Sequence, residues 1–190
     1  MPSPQIRPLD LADDATAHAV HRIARAAYAV EAEIIGFDGI PALHESLPEM
    51  RAQDLRWVGA VSEGGELAGF LAWEEEPDGG TGTGTGTGAG IGPDPDPGPG
   101  IGIDRLCVAP AFFRRGVASL LLRHALAELF PGRPVSVTTG AANAPAVRLY
   151  EGLGFVRGAD FSPAPGLTMA SFSRPTAERP PGRRTRPATS

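Results

Sequence analysis

Lysine is absent from this chain of 190 residues, and all 17 of its basic residues are arginine. Together with 25 glycines and 20 prolines this looks like base-composition bias in the coding sequence and carries no chemistry of its own. Cysteine is nearly absent too: Cys107 stands alone, so no internal disulfide can form, which fits a reducing compartment. No apolar run approaches the ~18 residues a membrane span needs, and no basic-then-apolar leader opens the chain. The expectation is therefore no membrane partner and a cytoplasmic protein. His18, His21, His44 and His124 lack metal-ligand spacing and have no acid placed beside them by a motif, so no metal site is expected.

Charge is present but unevenly placed. Residues 1–78 hold 15 acids and 5 arginines, whereas residues 79–190 hold 7 acids and 12 arginines. Such a division fits a basic part that meets an anionic cofactor and an acidic part that faces a cationic substrate. It fits equally well acids that only solvate the outer faces of N-terminal helices.

The stretch 79–100, GGTGTGTGTGAGIGPDPDPGPG, has almost nothing to bury and reads as a disordered loop inserted between two strands. The tail 174–190 carries five arginines and four prolines and reads as disordered as well. Without aromatics or a fold it is a weak nucleic-acid signal, so a nucleic-acid partner is not expected. About 150 residues remain, enough for one domain over 1–173. Nothing in the sequence fixes whether that domain self-associates into a homodimer.

The ordered part alternates short β-like runs with amphipathic stretches. Ile6–Leu9 reads as a strand with Pro8 at an edge or strand end. A helix follows from Asp13 to about Val30, with Ala17, Val20, Ile23, Ala24 and Ala27 at helical spacing. A second helix is expected from Pro41 or Ser46 to about Gln53. LRWVGAVS and LAGFLAW form a hairpin about the turn EGGE. IGIDRLCV is a strand, the segment from about Arg115 to Phe130 a helix, PVSVTT a strand, and Asn143 and Pro145 open another helix. Two last runs, around 155–161 and 167–172, form a second hairpin. The order βααβββαβαββ predicts an α/β fold, a mixed sheet with helices on both faces.

Within this order, IGIDRLCVAPAFFRRGVASLLLRH joins a strand through a basic, glycine-containing turn to a helix. The free amides of a helix start and the positive end of its dipole converge on one point, which suits a phosphate. This stretch, with NAPAVRLYEGLGF downstream, resembles the Gcn5-related N-acetyltransferase (GNAT) family. The resemblance implies a splayed mixed sheet, acetyl-CoA bound in the splay as co-substrate, and direct acetyl transfer to a primary amine of a small molecule or peptide in a ternary complex. An acyl-CoA-binding sensor or partner-binding module that kept the site without the chemistry is the alternative.

The family's pyrophosphate signature falls on Phe113, Arg114, Arg115, Gly116, Val117 and Ala118, with Phe113 where the family has glutamine or arginine. Backbone amides supply most of that grip, and Arg114, Arg115, Gly116, Val117, Ala118 and Ser119 are the expected pyrophosphate-binding residues. The backbone of Leu106, Cys107 and Val108 is expected to pair with the pantetheine amides. Tyr150 matches the family's tyrosine, a proton donor to the departing thiolate. Asn143 matches a cofactor-contacting asparagine and is also a natural helix cap. Asp104 is the first candidate for the base that deprotonates the amine, with Glu33 and then Glu74 behind it. Glu31 and Glu33 are expected to face the acceptor amine.

Overall fold

In the computed structural model of this chain, residues 4–76 and 100–175 are described. The expected loop at 79–100, apart from Gly100, and the tail beyond Pro175 lie outside them.

Among these residues seven strands form one mixed sheet: β1 (Gln5–Pro8), β2 (Arg56–Val61), β3 (Leu67–Glu75), β4 (Ile101–Val108), β5 (Val135–Gly140), β6 (Val156–Ala164) and β7 (Leu167–Arg174). Their spatial order is β1-β2-β3-β4-β5-β7-β6, and every neighbouring pair is antiparallel except β4 with β5. Pro8, which has no amide to donate, lies on edge strand β1. Arg174, expected in the tail, is the last residue of β7 and pairs with Val135.

Among the described residues five helices cover the sheet: α1 (Asp14–Ile35), α2 (Pro41–His44), α3 (Leu47–Ala52), α4 (Val117–His124, continued as a π-type turn to Leu129) and α5 (Ala144–Gly152). Three boundaries differ from the sequence reading. Helix α1 runs on past Val30, because Glu31 to Ile35 keep the helical period and the first breaker is Gly36, which ends the helix at φ 68°. The single helix expected after Pro41 is two. Ile40 precedes the first, and Ser46 starts the second through a capping box with Glu49 followed by a proline. Finally, α4 begins at Val117, since Arg114 and Gly116 both take left-handed conformations, φ 60° and 78°.

Each face of the sheet buries its own core. On one side Ala17, Val20, Ile23 and Ala24 of α1 and Met50 of α3 pack on Trp57, Phe70, Ala72 and Cys107. On the other, Val117, Leu121, Leu122 and Ala125 of α4 and Tyr150 of α5 pack on Leu71, Ile101, Ile103, Val137 and Phe172. Strand β4 serves both cores because the register shifts where Ala72 faces Arg105 and Trp73 faces Ile103, leaving Asp104 as the extra residue of a bulge. The bulge turns Ile103 and Leu106 toward the same core while Arg105 and Cys107 go to the other.

Gly69 on β3 lies close against both the neighbouring strand β4 and helix α4. A Cβ there would lie 2.7 Å from the Cys107 carbonyl oxygen and 3.1 Å from Val117 Cγ1. Gly69→Ala is therefore expected to lower stability by about 1–3 kcal/mol, as overpacking does, read from the midpoint of urea unfolding. An unchanged midpoint would mean that β3 and β4 separate freely here.

Candidate active site

Strands β4 and β5 are paired only from Ile101 to Ile103 against Val135 to Val137. Past that point both continue, β4 to Val108 and β5 to Gly140, without bonding to each other. A parallel pair that stops half-way leaves a wedge between two strand edges. The edge of β4 away from β3 then carries backbone groups with no strand partner. A cleft of about 710 Å³ opens along this wedge, walled by Asp104, Arg105 and Leu106 on β4, Val137 to Gly140 on β5, Asn143, Ala146 and Tyr150 on α5, and Tyr28, Glu31 and Ile35 on α1.

At the end of β4 the chain passes through a short 3-10 turn, Pro110–Phe112, into the loop before α4. From Arg114 to Ser119 no amide makes a well-formed hydrogen bond within the described chain. Successive free amides around left-handed residues, followed by a helix start, form a concave cradle for an anion. Phe113 is 39% exposed and adds no polar group, while the Arg115 guanidinium is held 5.3 Å over the Phe112 ring. The exposed loop and the buried Val117 match their division of labour: amides outward, helix anchored on Gly69.

Helix α5 carries Asn143, Ala146 and Tyr150 along one face. Asn143 Oδ1 caps the helix by accepting from the Ala146 amide, and its Nδ2 donates to Glu31 and to Thr139 Oγ1. Its polar atoms are thus engaged inside the chain. The Tyr150 ring packs on Phe155 and Phe172 at 5.6 and 5.4 Å. Its hydroxyl has no hydrogen-bond partner among the described residues, yet no fully buried polar atom there is unpartnered, so the hydroxyl opens into the cleft. Burial, reinforced by the Glu31 charge, pushes this phenol well above its ordinary value.

The structure separates the expected acids. Asp104 lines the cleft at the bulge, but its Oδ2 accepts from Arg105 Nε at 2.6 Å. Glu31 lines it too. Glu33 and Glu74 are exposed and do not line the cleft. Leu106 lines the cleft, whereas the Cys107 side chain is buried on the α1 face, where burial pushes its thiol up to about 12.

Sequence reasoning missed the residue at the centre of one wall. Arg105, 5% exposed, donates to both oxygens of Glu45 and to Gln53 Oε1, which lies 2.7 Å from it, and rests 5.9 Å from the Trp57 ring centre. A second charge beside Asp104 on a mostly apolar strand was the available signal.

The family model described as the Acetyltransferase (GNAT) family matches residues 17–155, and the chain belongs to that family. A curated relative, UPF0157 protein YqkA of Bacillus subtilis (strain 168), is 32% identical over 146 residues, 77% of this chain; the chain spans 36% of that protein's length. The fold matches a crystal structure of histone acetyltransferase HPA2 and related acetyltransferase from Corynebacterium glutamicum, with TM-score 0.66 and 17% identity over 94% of this chain and 99% of that one. It also matches PaiA N-acetyltransferase from Thermoplasma acidophilum in complex with coenzyme A, with TM-score 0.60 and 13% identity over 90% and 98%. Among the described residues no group of three or more His, Cys, Asp or Glu could hold a metal ion, and no helix is long and apolar enough to cross a membrane.

Two outcomes follow from the buried groups. A thiol titrating near 12 is protonated and enclosed at neutral pH, so a disulfide-forming thiol reagent should leave the native chain unmodified at about pH 8 and titrate Cys107 only after denaturation. Fast reaction of the native chain would contradict this burial. Glu45→Ala leaves Arg105 with Asp104 alone as counter-charge and should cost about 3 kcal/mol in chemical denaturation, whereas replacing Glu45 and Arg105 together by methionine should cost much less. Equal losses in the two variants would show that the ion pair is not the source.

Proposed function

We propose that this chain is an acetyl-CoA-dependent N-acetyltransferase in which an amine attacks the thioester directly in a ternary complex. The observation that carries the reading is the continuity from the free edge of β4 to the unbonded amides of Arg114 to Ser119. An extended arm with amides can complete the ladder that β5 abandons, and a pyrophosphate at its end meets the amide cradle. The residues fit such a group without relying on a polar side chain at position 113. Coenzyme A in the PaiA structure supports the same reading by likeness of fold. A single cysteine, deeply buried, agrees with a cytoplasmic setting.

When bound, acetyl-CoA would supply an activated acetyl group, and the chain's own part is to align it and to manage two protons. The backbone of Leu106, Cys107 and Val108 orients the arm, and a free amide on the same edge can donate to the carbonyl oxygen. Tyr150 donates a hydrogen bond to the departing sulfur. Its phenol lies above a thiol's usual ~8.5 by a wide margin, so it remains a donor at every working pH. A cleft carboxylate receives the amine's proton.

The test is acetyl transfer to a broad panel of amines, followed by thiol release. Tyr150→Phe should lower kcat by about 10²-fold with coenzyme A affinity unchanged. The shape of the pH profile should persist across neutral pH, because the phenol does not titrate there. An unaltered kcat would remove Tyr150 from the reaction. Tight coenzyme A binding without transfer to any amine would favour a sensor.

A further inference from the structure

The four carboxylates that reach the cleft differ in how their oxygens are used. Glu45 is taken up by Arg105 and Gln53, and Glu49 by the cap of α3. Asp104 is ion-paired with Arg105 at 2.6 Å. Glu31 has no cation within 4.0 Å among the described residues. It is held instead by neutral donors, all on one oxygen: Thr139 Oγ1 at 3.1 Å, the Gly140 amide at 3.4 Å and Asn143 Nδ2 at 3.0 Å, each reaching Oε1. Its second oxygen, Oε2, has no donor in the described chain. The side chain is therefore fixed by one atom and offers the other to the cleft that Tyr150 also lines.

Such a group has a definite ligand chemistry. A carboxylate oxygen without a cation attracts an ammonium by a charge-assisted hydrogen bond. The same ammonium at Asp104 would have to compete with the Arg105 guanidinium. Because Oε1 is clamped from β5 and α5, the free oxygen cannot swing away when charge arrives.

Resting on the acetyl-transfer reading above, we propose that Glu31 Oε2, not Asp104, receives the acceptor's ammonium and takes its proton, so that the acceptors are cationic primary amines. One ammonium proton passes to Oε2 and on to solvent. The freed lone pair forms the C–N bond, the C–S bond breaks, and the second proton lost from nitrogen ends on sulfur.

Glu31→Gln separates charge from clamp, since a glutamine oxygen can still accept from Thr139, Gly140 and Asn143. The variant should lose some stability with the charge but remain cooperatively folded at assay temperature and keep its coenzyme A affinity. It should lose about 10²-fold in kcat/KM with alkylammonium acceptors, but less than about tenfold with an arylamine, which is neutral at the assay pH and has no charge to anchor. Equal losses with both acceptor classes, or full activity with both, would overturn the assignment while leaving acetyl transfer intact. Glu31→Ala, which loses clamp and charge together, should fall with both classes; an Ala variant as active as wild type would overturn it as well. If the wild-type chain acetylates no amine, the acetyl-transfer reading fails and this proposal with it.

Discussion

The structure depends on a pairing that is begun and not completed. Strands β4 and β5 share a parallel ladder of three residues and then part, although both remain extended. Buried backbone groups must find partners, and a strand edge facing a cleft finds them in solvent or in an extended ligand. The elements around it either hold the wedge open or line it. The antiparallel β3 secures the far edge of β4. Strand β7 does the same for β5, entering the sheet between β5 and β6. Neither strand can therefore slide sideways to close the gap without breaking a ladder that is complete.

Two side-chain clamps brace the wedge, and they differ in kind. On the β5 side, Glu31 ties α1 to the β5–α5 corner through charge-assisted bonds from neutral donors, each of a type worth about 1.5–3 kcal/mol. On the β4 side, Arg105 ties the bulge to Glu45 and Gln53 around α2 and α3. That cluster is a buried ion pair, whose mutual attraction roughly balances what desolvation costs. Its contribution is thus geometric: it fixes where the segment Glu45–Gln53 meets the sheet. Helix α1 belongs to both walls, since Tyr28, Glu31 and Ile35 line the cleft while its earlier turns pack on Phe70 and Ala72. Gly140 helps here, because Ile35 lies where its Cβ would be.

Local signals made much of this legible in the sequence. Gly36, Gly65, Gly132 and Gly166 all take positive φ at turns that glycine marked. Asn143 before Pro145, and the short apolar runs on either side of turn residues, placed α5 and the hairpins correctly. What stayed hidden is non-local. The partners of Glu31 are 108 to 112 residues away, and Arg105 meets Glu45 across 60. No periodicity announces such pairs. The stop assigned to α1 near Val30 had the largest consequence, since it took Glu31 out of the helix and left it indistinguishable from Glu33. Once α1 runs to Ile35, the helical period puts Glu31 on the face shared with Tyr28 and Ile35 and turns Glu33 outward.

The same contrast explains why family membership reaches one half of the site and not the other. The strand edge and the loop before α4 present backbone, so the side chain at position 113 can change to phenylalanine while the amides from Arg114 to Ser119 keep their direction. The fold itself is shared at sequence identities of 13–17%, and a cradle made of backbone depends on the fold more than on any one side chain. The facing wall of the cleft is made of side chains from α1 and of Glu45, Glu49 and Gln53, held by contacts between elements far apart in sequence. Exchanging one carboxylate there, or moving one helix end by a turn, reshapes that wall without disturbing the ladder or the amide cradle. Side chains on that wall can therefore change almost independently of the fold, which is why a local motif reaches the backbone half of the cleft and leaves the clamp of Glu31 and its neighbours unmarked.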